Sequence, residues 1–373
     1  MKDTARLSLE EKVGQLFFLG FQGYTLDQET SALLDAVRPA GFVFYQRNIE
    51  SLDQVSRLIG SLREGFSRTP FLAVDHEGGH VDRLKHVFAP LPSLSELADA
   101  GTAHLRAGAR IIASELEAAG FNTDFAPPVD LRLADSILAK RTLGSGPAEV
   151  ARLASAFVEE LEKKNIVTCA KHFPGLGSAT RDPHFALPRI DRPKRQLLQE
   201  DVVPFMDLLD QVPMIMVSHG HYPGLGDEKP TPASLSPRVV EGLLRKKLGF
   251  EGVIITDDLT MGAVTSVGLT PDLFVRAFEA GNDMLLFSQT TPLVKKAFEA
   301  IVHAARASAA LRKRVDESVE RIAKLKSRLQ FLPVRNRIHA RARLIRQIDK
   351  LRAAMVVEKI AASAREAIEA GRV

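Results

Sequence analysis

The chain has 373 residues, is 45% hydrophobic and 26% charged, and carries a formal charge of +4, a composition that fits a soluble globular protein able to bury a large core. The charge is uneven. Residues 334–373 hold ten Lys or Arg against four Asp or Glu, which leaves the first 333 slightly acidic and gives no reason to expect nucleic acid as a partner. No apolar run is long enough to cross a membrane, the charged stretch Met1–Lys12 lacks the apolar core of a signal peptide, and the one cysteine, Cys169, excludes an internal disulfide. The expected location is the cytoplasm.

In chain order, eight apolar runs read as strands: Val13–Phe21, Gly41–Tyr45, Phe71–Val74, Phe121–Ala126, Ile166–Ala170, Met214–Val217, Gly252–Ile255 and Asp283–Phe287. Amphipathic segments lie between or after them, over 26–37, 93–119, 147–164, 234–248, 271–280 and 293–329. Such alternation calls for a parallel sheet covered by helices. Eight units in roughly 330 residues predict an α/β fold of the (β/α)8 barrel type rather than an open doubly wound sheet. The domain reading is a barrel over 1–330 and a basic amphipathic helical extension over 331–373. In the extension Ile338, Ile345, Ile348, Leu351, Met355 and Ile360 recur near helical spacing among arginines. Packing on the barrel, self-association, a membrane surface or an acidic partner are its open roles.

A barrel of this kind carries its chemistry at the C-terminal ends of its strands, and polar residues fall there. Asp75-His76-Glu77-Gly78-Gly79 follows the third run, Asp124 and Asp130 the fourth, Lys171 and His172 the fifth, Ser218-His219 the sixth, and Asp257-Asp258 the seventh. One aspartate after a strand is commonly a helix cap; five such ends form a constellation. The densest segment is Lys171-His172-Phe173-Pro174-Gly175-Leu176-Gly177, continuing to Asp182-Pro183-His184. Its Pro-Gly punctuation makes it a loop.

This loop resembles the Lys-His-Phe-Pro-Gly…Asp-x-His signature of glycoside hydrolase family 3, in its β-N-acetylhexosaminidase branch. Gly252–Met261 resembles that family's nucleophile strand, Asp75–Arg83 its sugar-binding loop, and Lys140–Gly144 the segment with a substrate-binding arginine. The similarity runs from about Leu9 to about Gln330.

The resemblance implies a retaining exo-β-N-acetylglucosaminidase acting on a small carbohydrate, with peptidoglycan (anhydro-muropeptide) fragments as the expected source and no cofactor or metal. Asp257 is then the nucleophile that forms a glycosyl-enzyme intermediate. Asp258, pointing to the opposite face of the strand, is the weaker alternative. His184 becomes the acid/base, oriented by Asp182, and a histidine suits both directions of proton transfer. Asp75, Arg83, Arg141, Lys171 and His172 become substrate-binding groups.

Four departures from the family pattern surround the site: Pro183 for serine, Leu176 for histidine, His76 for glutamine and His80 for arginine. Pro183 matters most, since it restricts Asp182 to extended conformations and removes an amide. Alternatives also stand at this point. Phosphate could replace water as the acceptor. A metal-dependent hydrolase could use His219-Gly220-His221, although the first strand offers no ligand. Lys171 could form a Schiff base, and a non-catalytic binding barrel would keep the fold alone.

Overall fold

The computed structural model describes residues 4–64, 66, 69–227, 229–329 and 337–369. Eight parallel strands close into a barrel: β1 (Phe17–Leu19), β2 (Gly41–Phe44), β3 (Phe71–Val74), then, after a small antiparallel hairpin of β4 (His76–Gly78) and β5 (Val81–Asp82), β6 (Thr123–Asp124), β7 (Val167–Phe173), β8 (Met214–Val217), β9 (Val253–Asp258) and β10 (Met284–Phe287). Each barrel strand pairs with its neighbours in sequence, and β1 seals the ring by pairing Phe17 with Leu285 and Phe18 with Gly41. The eightfold α/β barrel is therefore as the alternation predicts.

Strand positions are apolar nearly throughout because both faces of a parallel sheet are covered. Aromatic rings fill much of that interior. Phe18 lies 5.1 Å from Phe125 between ring centroids, and Phe44 lies 5.1 Å from Phe121. At the N-terminal end of β10, Asp283 accepts from Arg245, Arg314, Arg321 and Ser318 and ties the barrel floor to the helix Ala309–Lys326.

Several expected boundaries move. The strands expected over Phe121–Ala126, Ile166–Ala170 and Gly252–Ile255 are Thr123–Asp124, Val167–Phe173 and Val253–Asp258, so that residues 171–173, read as loop, continue the strand. Three further changes have a local reason. The run Val13–Phe21 begins as a helix, Leu9–Gly14, started by a reciprocal cap between Ser8 and Glu11, so the strand proper is only Phe17–Leu19. The helix expected over 93–119 is two, Leu94–Asp99 and Thr102–Ala119, broken at Gly101 with φ +104°. The segment 293–329 likewise splits at Ser308, whose side chain accepts from the Leu311 amide and starts a second helix.

The extension forms the helix Arg337–Glu369 against the helix Thr102–Ala119. Leu344, Ile348 and Leu351 are buried, Arg341 donates to the Val87 carbonyl at 2.6 Å, and Glu358 meets His104 at 3.5 Å. Packing on its own barrel is thus one role this helix fills. Met355 also packs there, whereas Ile360 stands exposed; the side chain of Ile338 lies outside the described residues. Among the described residues no helix is long and apolar enough to cross a membrane.

Candidate active site

Asp75, Glu77, Arg141 and Lys171 form one buried ion network at the C-terminal mouth of the barrel. Lys171, on β7, places Nζ 2.7 Å from Asp75 Oδ1 and 2.7 Å from Glu77 Oε1. Arg141, on the loop after β6, grips Glu77 with Nε and Nη2, each at 2.8 Å, the paired geometry a guanidinium makes with a carboxylate. Burial alone would raise the Glu77 carboxyl, but Arg141 and Lys171 outweigh it and hold the group far below the usual carboxylate range. Burial likewise opposes charge on Lys171, and Asp75 with Glu77 overcomes it, so the ammonium stays protonated well above its ordinary value. A Schiff-base lysine needs the reverse shift, and two carboxylates at 2.7 Å work against it here.

His172 follows Lys171 on the same strand and is fixed by Asp130. Its Nδ1 lies 2.7 Å from Asp130 Oδ2, and Asp130 also accepts the backbone amides of His172 and Leu176. Leu176 itself is buried in the core, so a leucine there serves packing while its amide serves the site. Gly177 lets this loop lie flat on its neighbour, because a Cβ would sit 2.2 Å from the Leu131 carbonyl oxygen.

The two adjacent aspartates ending β9 do different work. Asp258 accepts from the Thr260 amide at 3.0 Å, the Thr260 hydroxyl at 2.8 Å and the Ser288 amide at 3.1 Å, which knits it into the rim. Among the described residues, Asp257 accepts one hydrogen bond, from the Asp258 amide at 2.8 Å. Burial pushes its carboxyl upward, yet the imidazoles of His219 and His172, that amide and His184 together hold it below the ordinary aspartate value. Asp257 is therefore ionised and available.

His184 and Asp182 lie on the long loop after β7, with Nδ1 2.7 Å from Asp182 Oδ1 and the His184 amide donating to the same oxygen at 2.9 Å. Pro183 is accommodated: the Asp182 carbonyl accepts from Phe185 and Ala186, and the turn closes around the proline. Two backbone bonds join this loop to the segment after β9, Gly262 N to His184 O at 2.9 Å and Ala263 N to Pro183 O at 3.0 Å. The histidine side chain is 67% exposed.

Arg83 stands over the ring of Tyr45, 5.9 Å from its centroid, and its buried Nε has no hydrogen-bond partner among the described residues. Burial first, then the charges of Asp75, Asp258 and Asp257, raise the Tyr45 hydroxyl well above its usual value, which places this ring among the site carboxylates. Tyr45, Glu77 and Asp130 are neighbours of the site that carried no role in the sequence reading, although each follows or ends a strand on the site rim. His219 and His221 engage different partners. His219 bonds Ser234 and the Asp258 carbonyl, while His221 accepts from the Thr231 amide. Among the described residues no three His, Cys, Asp or Glu side chains converge as a ligand set.

At one mouth, a parallel barrel gathers a lightly bonded carboxylate, a carboxylate-oriented histidine and a ring of fixed polar groups, groups of the kind that glycoside hydrolysis uses as nucleophile, acid and sugar ligands. The model of the glycosyl hydrolase family 3 N-terminal domain matches residues 8–325, and the chain belongs to that family. A protein named Beta-hexosaminidase from Idiomarina loihiensis is 34% identical over 269 residues, 71% of this chain and 81% of its own. Another of that name from Xanthomonas campestris pv. campestris is 33% identical over 304 residues, 79% and 91%.

Among solved structures, a glycoside hydrolase family 3 β-N-acetylglucosaminidase from Paenibacillus sp. superposes with a TM-score of 0.81 at 30% identity, covering 91% of this chain and 68% of that one. A fungal multi-domain family 3 β-N-acetylglucosaminidase gives a TM-score of 0.86 at 30% identity; 92% of this chain is covered but only 43% of that protein.

Proposed function

We propose that the protein is a retaining exo-β-N-acetylglucosaminidase. The observation that carries this reading is the contrast at the mouth between Asp257, held ionised with one internal bond, and the Asp182–His184 pair on the loop bonded to the same strand's extension. Asp257 attacks the anomeric carbon as His184, through the Nε2 that Asp182 leaves free, protonates the departing oxygen. In the second half His184 takes a proton from water, which displaces Asp257 and restores the original configuration. Asp182 keeps the imidazole in one tautomer and stabilises its charged form.

Asp75, through the carboxylate oxygen not held by Lys171, accepts from sugar hydroxyls. Lys171, Arg141 and Arg83 donate from the protons their internal bonds leave over, and His172 presents the ring nitrogen that Asp130 does not hold. The natural substrate proposed is the terminal N-acetylglucosamine of peptidoglycan (anhydro-muropeptide) fragments, hydrolysed in the cytoplasm; the relatives' names support the hexosaminidase activity, and the source of the sugar rests on the family resemblance alone. The test is release of p-nitrophenol from the N-acetyl-β-glucosaminide beside the plain β-glucoside, with the anomer of the first-formed sugar followed by NMR. Selective release with a β product supports the reading; an α product, or no preference for the acetamido sugar, overturns it.

A further inference from the structure

Phe185 alone among the phenylalanines of the described residues stands in solvent, 84% exposed, directly beside His184. Its backbone is nonetheless fixed. The Phe185 amide donates to the Asp182 carbonyl at 3.0 Å, and Gly262 packs so closely against the peptide that a Cβ there would lie 2.5 Å from the Phe185 carbonyl carbon. A phenylalanine held firmly yet burying almost none of its ring contributes little to folding.

Its surroundings repeat the pattern. The other large apolar side chains exposed on barrel loops are Tyr24 after β1, Ile137 after β6, and Val267 and Leu269 after β9. All follow the C-terminal ends of strands. Ile137 is bonded through its amide to Ala179, on the same long loop as Phe185, and Val267 and Leu269 follow the segment that Gly262 begins. Exposed apolar surface gathered at one rim marks a place where a ligand makes contact.

The position beside His184 defines which part of the ligand that is. A general acid must reach the leaving oxygen at hydrogen-bond distance, about 3 Å, so the first ring beyond that oxygen lies beside the residue next to the acid. We propose that Phe185 is the platform of the leaving-group subsite, taking an aglycone with a flat apolar face: the C–H face of a second pyranose ring, or an aryl group. This rests on the glycosidase reading above and adds to it the element that selects the leaving group.

Three N-acetyl-β-glucosaminyl substrates separate the possibilities. The fluoride has no aglycone and little need of an acid, the methyl glycoside needs the acid but offers no face to stack, and the β-1,4-linked disaccharide needs both. In Phe185→Ala the ratio of kcat/KM for disaccharide to that for fluoride is expected to drop about tenfold, with the methyl-to-fluoride ratio held within twofold; Phe185→Tyr restores the first ratio. Because ratios are read, a partly unfolded variant leaves them unmoved. An unchanged disaccharide ratio overturns the platform. So does an equal fall for the methyl glycoside, which would show Phe185 acting through His184. A wild-type enzyme inert toward all three overturns the glycosidase reading together with the proposal.

Discussion

The buried network of Glu77, Arg141 and Lys171 and the exposed pair of Asp182 and His184 serve one site under opposite physical conditions. In the first, the Lys171 and Glu77 side chains are 2% and 1% exposed, so each charge depends on its partners to offset lost hydration. In the second, both groups keep much of their water and their mutual bond is worth little to the fold. On the proposed roles, binding geometry is built into the barrel's stability, whereas proton transfer is carried on a loop that the barrel hardly needs. Substitutions should separate the two.

The largest effect tests what both regions serve. Asp257→Asn should lower kcat about 10⁴-fold or more while leaving the melting temperature within a few degrees, since the side chain makes one internal bond; steady-state kinetics beside calorimetry decide it. Glu77→Gln should destabilise the fold by about 3–5 kcal/mol, because Arg141 loses the carboxylate it grips and Lys171 keeps Asp75 alone of its two. Urea unfolding measures that, and a loss under about 1 kcal/mol would mean that the network is not the structural anchor inferred above.

His184→Ala should show the reverse pattern, with activity on an unactivated glycoside down about 10²–10⁴-fold and stability unchanged. The same variant should lose much less on a substrate whose leaving group needs no proton.

A smaller effect comes from a second buried cluster just behind the first. His76 sits between Asp75 and Glu77 in sequence, bonds Glu115 at 2.8 Å, faces Asp82 at 3.6 Å, and gives its amide to Asp124. Burial opposes charge on His76, but Glu115 and Asp82 outweigh it and raise it to about 9; burial raises Asp124 to about 8. Both groups bind protons more tightly when folded. The histidine's contribution is therefore complete below about pH 6.5 and lost as pH climbs through 9, and that of Asp124 fades from about pH 4 through 8. Wild-type melting temperature should fall between pH 6.5 and 9, and His76→Gln should flatten that decline.

The acid side of the rate profile is the least dramatic test. With Asp257 held below the ordinary aspartate value, kcat/KM should lose its nucleophile-dependent activity only below about pH 4.

The barrel was legible because parallel strands must be apolar on both faces, and runs such as Met214–Val217 coincide with the strand residue for residue. Val13–Phe21 misled for a related reason. Its first residues are the buried end of a helix, as apolar as any strand, and only the Ser8–Glu11 spacing marks the difference.

At the site, Asp75, Lys171 and Arg141 were findable from their positions after strands and from the family resemblance. The tie between them was not, since Glu77 reaches Arg141 across 64 residues and no local pattern encodes such a contact. The same holds for Asp130 under His172. Asp257 and Asp258 are indistinguishable by composition, and alternation along β9 only says that they diverge. The bonds from Thr260 and Ser288 show which of them is occupied.

Gly262 adds a last consequence. The loop bearing His184 and the segment that follows Asp257 are far apart along the chain and are joined by backbone bonds at Gly262 and Ala263, and at Gly262 a hydrogen atom stands in place of any side chain. A methyl group there would act as a wedge, lifting one loop from the other while both carriers stayed whole. On the proposed mechanism, the enzyme so altered would keep every reactive group and lose their timing: a carboxylate that could still strike, and a proton that would arrive in the wrong place.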